Sequence, residues 1–181
     1  MSCFPMCVEL AGKKVFLVGA GRQIQDKKEK LEPFGADLIQ KDTLGEQDLR
    51  QCPAFVVVGD TAVEEAQRIS ELCNTAGIPV NVVDMPALCS FFFPALISRG
   101  PLTVAVSTGG SNPAAAGFLR REIEKILPET TETIINWLSA QRQQLRSRRV
   151  LRAAVAAAFL RKRPLTEEEI EELLMAENTS C

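Results

Sequence analysis

Two glycines, Gly19 and Gly21, stand where an apolar run gives way to a charged segment. The run Val15–Val18 predicts a β-strand, and the segment from Arg22 to Glu32 predicts a helix. Glycines at such a junction allow a tight turn, so backbone N–H groups and the positive end of the helix point at one spot. This arrangement suits the pyrophosphate of a dinucleotide.

The complete fingerprint of such a loop is Gly-x-Gly-x-x-Gly/Ala, and its last position here is Ile24. A small residue at that position lets helix and strand pack closely, so isoleucine predicts a displaced or repacked helix. We predict a cofactor-binding set at this loop and at the ends of the next two strands. Its members are Gly19, Gly21, Arg22, Gln23, Ile24, Asp42, Gly59 and Asp60.

Two acidic members of this set have alternatives. Asp42 lies about twenty residues beyond the loop, where an acid that binds the ribose is expected. Arg22 would instead suit a 2′-phosphate, so the residues leave NAD and NADP open. Asp60 is either a neighbour of the cofactor or a cap for the following helix, and the cap is the interpretation that we favour.

Valine-rich runs separated by helical segments predict a parallel sheet covered on both faces, in an α/β, Rossmann-like fold. The predicted strands after the first are Asp37–Gln40, Ala54–Val58, Pro79–Val83 and Leu102–Val106. Ligands of such sheets bind at the carboxyl ends of the strands. We therefore expect Gly19–Gly21, Gly59–Asp60, Asp84 and Ser107–Gly110 to lie along one rim.

A second glycine-rich loop follows the last predicted strand. Its members are Ser107, Thr108, Gly109, Gly110 and Ser111. Their N–H groups and hydroxyls could hold a substrate carboxylate at the start of the next helix. The alternative is an ordinary turn in which Ser111 or Asn112 caps that helix.

Beyond Asn112 the pattern predicts helices alone. They are Pro113 to about Leu127, about Glu129 through Trp137 to about Leu160, and Glu167–Ala176 behind a capping box at Thr166. We divide the chain into a Rossmann domain at 1–112, a helical dimerisation region at 113–145 and a C-terminal helical region at 146–181. Helices without a sheet of their own often need a second subunit to bury them, so we expect a homodimer.

The composition narrows the functional classes. The 181 residues are 46% hydrophobic and 24% charged with a net charge of −2, so neither a nucleic acid nor a membrane is an expected partner. Histidine is absent, which removes the commonest base near neutral pH. No signal peptide or membrane helix is evident, and the six cysteines lack close pairs. We expect a cytoplasmic protein whose thiols are reduced and mostly buried.

A long ordered series of residues carries a family resemblance. Its parts are Val80–Pro86, Cys89–Ala95, Arg99–Leu102, Ala105–Gly110, Pro113 and Leu119–Glu124. This series closely resembles precorrin-2 dehydrogenase, the enzyme fused as the N-terminal part of siroheme synthase. The resemblance implies a dimeric, NAD-dependent oxidation of the tetrapyrrole precorrin-2 to sirohydrochlorin. Some members of the family also insert ferrous iron, which makes a ferrochelatase activity a further expectation.

Within this resemblance, Asp84 is the expected catalytic residue. Oxidising precorrin-2 removes a hydride and a proton, and a carboxylate at the end of a strand can accept the proton. The same carboxylate could take pyrrole protons during metal insertion. The alternative makes Asp84 a helix cap or a turn former before Met85-Pro86. Ser107 to Ser111 become the expected contacts for the substrate, which carries eight carboxylates.

The chain departs from the family pattern at three places. Family members usually have a small residue at Ile24 and an apolar one at Gln23. Where Val58-Gly59-Asp60 ends the third strand, they commonly have Ala-Thr-Asp. The stretch between the second and third strands is also short. All three touch the cofactor half, so a non-catalytic tetrapyrrole carrier stays open, as does a nucleotide-sensing module.

Basic residues concentrate near the C-terminal end. They are Arg142, Arg146, Arg148, Arg149, Arg152, Arg161, Lys162 and Arg163. Such a cluster could attract a polycarboxylate and pair with it, whereas a solvated helix face is the alternative that we favour. The run Phe91-Phe92-Phe93 predicts core or interface packing rather than a stacking platform.

Overall fold

The computed structural model describes residues 3–143, 145 and 147–178, so Arg146 and Cys181 lie outside the described residues. The chain divides into two compact units. The first comprises residues 3–93 with 109–111, and the second comprises 94–108 with the described residues from 112 onward. The first unit contains the glycine loop and Asp84.

A four-stranded parallel sheet forms the centre of the first unit. In chain order its elements are β1 (Lys14–Val18), α1 (Arg22–Leu31), β2 (Asp37–Lys41), α2 (Glu46–Leu49), β3 (Phe55–Val58), α3 (Val63–Thr75) and β4 (Val80–Val82). The strand order is β2-β1-β3-β4. Val18 is level with Lys41 on one side and Val58 on the other, so the carboxyl ends line up. The predicted Rossmann-like α/β fold is confirmed.

Apolar side chains fill both faces of this sheet, as its valine-rich strands require. On one face Phe16, Val56 and Val80 pack with Ile69 of α3. On the other, Val15, Leu17 and Val57 pack with Ile24 and Leu31 of α1. The expectation that most cysteines are buried is wrong: Cys73 is buried, whereas Cys3, Cys7 and Cys52 are exposed. Burial raises the pKa of Cys73 to about 11.

The second unit begins with a hairpin. Strands β5 (Ala95–Arg99) and β6 (Leu102–Val106) pair antiparallel, with Arg99 opposite Leu102. The predicted strand at 102–106 exists, but its predicted place in the parallel sheet is wrong. Gly100 takes a φ of +55° and turns the chain directly back, so β6 pairs with the strand just before it. We did not predict β5 or α2.

Four helices follow the hairpin: α4 (Pro113–Ile126), α5 (Thr131–Ala140), α6 (Arg148–Arg161) and α7 (Glu167–Asn178). The predicted single helix from 129 to 160 is wrong, because it is broken after Ala140. Leu145, at the break, is 1% exposed and packs with Ile134 and Val150. The break lets α5 and α6 turn apolar faces toward one core, across the predicted boundary at residue 145. Within the described residues, no helix is both long and apolar enough to cross a membrane.

Both predicted helix caps of this unit are confirmed. Asn112 Oδ1 accepts a hydrogen bond of 2.9 Å from the backbone N–H of Ala115. Thr166 and Glu169 form the capping box of α7, in which the Thr166 N–H donates to Glu169 Oε2 at 2.8 Å. Glu169 also accepts bonds from Arg161 at 2.6 Å and from Arg163 at 2.8 Å. Glu169 therefore ties the end of α6 to the start of α7.

We expect the Glu169 clasp to weaken in acid. Hydrogen bonds from Arg163 and Thr166 lower the pKa of Glu169 to about 2, from an ordinary value near 4.5. A lowered pKa in the folded chain means that the stabilisation is complete above pH 4.5 and is lost as the pH falls toward 2. Glu169→Gln should therefore lower the free energy of unfolding at pH 7, and the difference should shrink in acid. Trp137, the single tryptophan, packs in this unit and reports its unfolding in urea. Equal stabilities at pH 7 would contradict the role of the clasp.

Candidate functional site

The order of the strands creates a crevice between β1 and β3. The chain leaves β1 toward β2 on one side and later returns to β3 on the other, and ligands of open parallel sheets bind where the order reverses. The backbone joins the two strand ends here, since Ala20 forms an isolated bridge with Asp60. On the other side, the N–H of Gly19 donates to Lys41 O at 2.8 Å. The loop is thus held from both neighbouring strands.

Gly19 and Gly21 are glycines for separate reasons. Both take φ values near +90°, in the left-handed region that other residues rarely adopt. A Cβ on Gly19 would lie 3.0 Å from the carbonyl oxygen of Asp60, whereas a Cβ on Gly21 would meet open space. Gly21 precedes α1 and caps it with no side chain. The open space and the uncapped helix N-terminus fit a pyrophosphate.

Ile24 fits in this loop because of the residue that it faces. It is 2% exposed, and a Cβ added to Gly59 would lie 2.3 Å from Ile24 Cγ1. The large side chain on α1 therefore occupies the space that glycine leaves at the end of β3. Two of the three departures from the family pattern are thus one complementary pair. The sequence predicted a repacked helix, and Gly59 is what accommodates it.

The predicted acids of the cofactor set lie at the ends of strands. Asp42 directly follows β2 and is exposed. Asp60 follows β3 and is exposed, but its predicted role as a cap is wrong, because α3 is capped at Ala62 without a side-chain bond. The backbone of Asp60 instead pairs with Ala20, beside the glycine loop. Arg22 is the first residue of α1 and is exposed. The contacts of these side chains with a cofactor stay predictions.

Asp84 lies in the turn after β4, with its carboxylate toward α1. Its φ of +60° is left-handed, which aspartate tolerates better than most residues. Gln23 Nε2 donates a hydrogen bond of 2.7 Å to Asp84 Oδ2. Gln23 is the second residue of α1, directly after the glycine loop. The structure therefore joins the predicted base to the predicted cofactor loop through one side chain.

Lys27 is a residue of this site that the sequence reasoning missed. It follows Gln23 by one turn of α1, is half-buried, and places Nζ 4.3 Å from the centroid of the Phe93 ring. Burial and repulsion from Lys30 lower the pKa of Lys27, while Asp26, Cys89 and Asp84 act in the opposite direction. The spacing of four residues places Lys27 and Gln23 on the same face of a predicted helix. The sequence gives no sign that Asp84, in a distant turn, lies near that face.

Side chains in β4 and after it hold the segment that carries Asp84. Cys89 Sγ lies 3.2 Å from both the N–H and the carbonyl oxygen of Val82. Asn81 Nδ2 donates to the carbonyl oxygen of Phe91 at 3.0 Å. Phe91 and Phe93 pack with Phe55, so the core packing predicted for this run is confirmed for these two rings. Burial raises the pKa of Cys89, which keeps its thiol protonated at neutral pH.

The second glycine-rich loop follows β6, which is not a strand of the parallel sheet, so the reason for which we expected it on the shared rim is wrong. Ser107 and Thr108 belong to the second unit, where Thr108 Oγ1 accepts from the N–H of Asn112 at 3.0 Å. Gly109, Gly110 and Ser111 group with the first unit. Gly110 has a φ of +80°, and a Cβ there would lie 2.8 Å from the Phe92 ring. The substrate contacts of this loop stay predictions.

The basic cluster is partly neutralised. Arg161 and Arg163 bond Glu169, which leaves less charge for an anionic ligand than the sequence predicted. The other described arginines of the cluster, Arg142, Arg148, Arg149 and Arg152, are exposed. In the described ranges no three histidine, cysteine or acidic side chains converge as a metal site would need.

Comparisons with known proteins agree with the fold and with the loop. A family model described as NAD(P)-binding matches residues 6–95, and one described as the central part of a sirohaem biosynthesis protein matches residues 99–126. The chain is 34% identical over 158 residues to a siroheme synthase of Pseudomonas aeruginosa strain UCBPP-PA14. It is 39% identical over 113 residues to a siroheme synthase of Thioalkalivibrio sulfidiphilus.

The alignments cover much of this chain and little of those relatives. The first covers 81% of this chain and 34% of the relative, and the second covers 62% and 23%. The chain thus spans about a third or less of the length of these relatives. Among solved structures, SirC, a precorrin-2 dehydrogenase, matches with a TM-score of 0.63 at 19% identity. That match covers 98% of this chain and all of SirC, and it supports the fold.

We expect the Ile24–Gly59 contact to appear as a coupling between two substitutions. Gly59 lacks a left-handed φ, so alanine is costly there only through its contact with Ile24. Gly59→Ala should destabilise the chain by about 1–3 kcal/mol through overpacking. Ile24→Ala should cost about 2–5 kcal/mol through a cavity. The double variant should cost clearly less than the sum of the two, measured by urea unfolding with circular dichroism.

The matched control for this cycle is Ile69→Ala, because Ile69 is buried on the opposite face of the same sheet. Its cost should add to that of Gly59→Ala. Additive costs for Ile24 and Gly59 as well would show that the two side chains do not share one space.

Proposed function

Because the chain belongs to the siroheme synthase family, through its NAD(P)-binding and central regions, we propose that it oxidises precorrin-2 to sirohydrochlorin with NAD. The relatives are named siroheme synthases, and the similar fold is that of a precorrin-2 dehydrogenase. The observation that carries the proposal is the 2.7 Å hydrogen bond between Gln23 and Asp84. It sets the candidate base Asp84 beside the loop that fits a dinucleotide.

The chain's own residues divide the work as follows. The glycine loop and the N-terminus of α1 would hold the pyrophosphate, with Gly59 and Asp60 at the neighbouring strand end. Bound there, NAD supplies the acceptor for the hydride that leaves precorrin-2. Asp84 accepts the proton that leaves with it. Gln23 already occupies Oδ2 of Asp84, so Oδ1 is the oxygen that we assign to the proton.

The substrate's carboxylates need partners that the glycine loop does not provide. We assign Ser107 to Ser111 to this role, as the sequence predicts for an anion at a helix start. Thr108 and Asn112 fix the backbone at the start of α4, which keeps the loop ordered. Lys27 supplies a cation on the same side of α1 as Gln23.

The chain also acts as a homodimer in this proposal. Helix α4, in the predicted dimerisation region, exposes three large apolar side chains, with Phe118 54%, Leu119 48% and Ile126 78% exposed. Leu119 and Ile126 are seven residues apart and share a face of the helix. A second copy of α4 would bury that face from water.

We expect Asp84→Asn to lower the turnover of precorrin-2 at least about tenfold, because positioned acid–base catalysis is typically worth about 10²–10⁴. The measurement is the absorbance of sirohydrochlorin formed with NAD. Asp37→Asn is the matched control, since Asp37 is an exposed aspartate at the opposite end of β2. Its rate should equal that of the unaltered chain. Equal rates for Asp84→Asn would remove Asp84 from the mechanism.

Titration with NAD separates this proposal from the carrier and the nucleotide sensor. An enzyme binds NAD and consumes it with precorrin-2. A chain that binds sirohydrochlorin, does not bind NAD and does not oxidise precorrin-2 would instead be a tetrapyrrole carrier. Affinity for the nucleotide without affinity for any tetrapyrrole would indicate the sensor.

We expect Leu119→Lys to convert the dimer to a monomer in sedimentation experiments at micromolar concentration, because a buried unpaired charge is costly. Val63→Lys is the matched control, since Val63 on α3 is also 48% exposed but lies outside the proposed interface. It should leave the dimer intact. A dimer that survives Leu119→Lys would place the interface elsewhere.

A further inference from the structure

Gln23 has a side-chain role that is separate from the cofactor loop to which the sequence assigned it. Its backbone lies in the first turn of α1, where N–H groups face the proposed pyrophosphate. Its side chain has a different partner, because Nε2 donates to Asp84 Oδ2 at 2.7 Å. A substitution that keeps the backbone can therefore test the side chain alone.

The hydrogen bond constrains which oxygen of Asp84 is available. An ionised carboxylate accepts at both oxygens, and an amide N–H on Oδ2 leaves Oδ1 as the less occupied one. Asp84 is exposed and sits on a left-handed turn, so its rotamer would otherwise be weakly determined by packing. Gln23 supplies the missing restraint.

A second residue of α1 supports the same arrangement electrostatically. Lys27 lies four residues after Gln23, on the same helix face, and interacts with the charge of Asp84. The Phe93 ring holds its ammonium at 4.3 Å, and that ring is fixed by contacts with Phe55 and Phe91. Among the described residues Lys27 is in no salt bridge, and the charge of Asp26 acts on it as well as that of Asp84.

We propose that Gln23 is a positioning residue, which holds Asp84 in the single orientation that presents Oδ1 to the substrate. This inference rests on the proposed oxidation of precorrin-2, and it adds the residue that sets the base. It also links the two ligands, because the same helix turn would carry the cofactor's pyrophosphate. The family resemblance does not supply this role, since an apolar residue is usual at position 23.

The test compares two glutamines of one helix. Gln23→Leu removes the donor to Asp84, whereas Gln25→Leu removes a donor that bonds Glu29 at 3.1 Å. We expect Gln23→Leu to lower kcat for precorrin-2 about three- to tenfold, as loss of a hydrogen bond to a charged group predicts. The KM for NAD should stay within about twofold, because the backbone of the loop is kept. Gln25→Leu should leave kcat unchanged.

A double-variant cycle distinguishes positioning from a general structural effect. If Gln23 acts only through Asp84, Gln23→Leu should have no further effect on the residual rate of the Asp84→Ala chain. Equal fold losses in both backgrounds would overturn the proposal, as would an unchanged kcat for Gln23→Leu in the Asp84 chain. The melting temperatures of Gln23→Leu and Gln25→Leu should be equal, so that a difference in kcat between them is not an effect of stability.

A spectroscopic reading separates this inference from the proposed function. The side-chain amide NMR signal of Gln23, identified by its loss in Gln23→Leu, should shift in Asp84→Ala and stay in place in Asp37→Asn. An unmoved signal overturns the inference, whatever the enzyme's activity. A chain that shows the shift but oxidises no precorrin-2 overturns the proposed function, and with it the catalytic meaning of the contact.

Discussion

At its N-terminal end, α1 packs against the sheet through Ile24, which fills the space beside Gly59. That helix carries several of the groups proposed for the site. Its first turn presents N–H groups at the β1–β3 crevice, its second residue reaches Asp84, and Lys27 lies one turn further along. A bulkier residue at position 59 would displace all three together, because they share a rigid element. The contact is apolar, and it lies on the same helix as the polar groups of the proposed site.

Two contacts account for the departures from the family pattern at positions 23, 24 and 59. The large side chain of Ile24 fills the space that Gly59 leaves between the helix and the strand. At position 23, glutamine replaces the usual apolar residue and donates a hydrogen bond to Asp84. Each substitution looks unfavourable for a dinucleotide site when it is read alone. Considered together, they are compatible with a packed helix and with a glycine loop in the left-handed conformation. The altered loop therefore argues for a repacked site rather than a lost one.

Local patterns predicted the parts of the fold that local forces determine. The strands β1, β3 and β4, the glycine loop, the Asn112 cap and the capping box at Thr166 all follow from short stretches of sequence. The prediction that β6 joins the parallel sheet was wrong, because a valine-rich sequence is compatible both with a sheet strand and with one strand of a hairpin. The break after Ala140 was missed, because it serves burial of Leu145 in a core of distant residues. Of the site, the positions of Gly19, Gly21 and Asp84 at strand ends could be predicted, while the bond from Gln23 to Asp84 spans sixty-one positions and could not.

The left-handed backbone of Asp84 limits how this family of sites can change over time. Few side chains adopt that conformation without strain, and asparagine is the one that also preserves the outline of the acid. An asparagine could therefore replace Asp84 in the course of evolution, while the turn, the sheet and the surface are all kept. Descendants with and without turnover would then be superimposable. Under the proposed function, the identity of this one side chain is a better guide to activity than the overall shape.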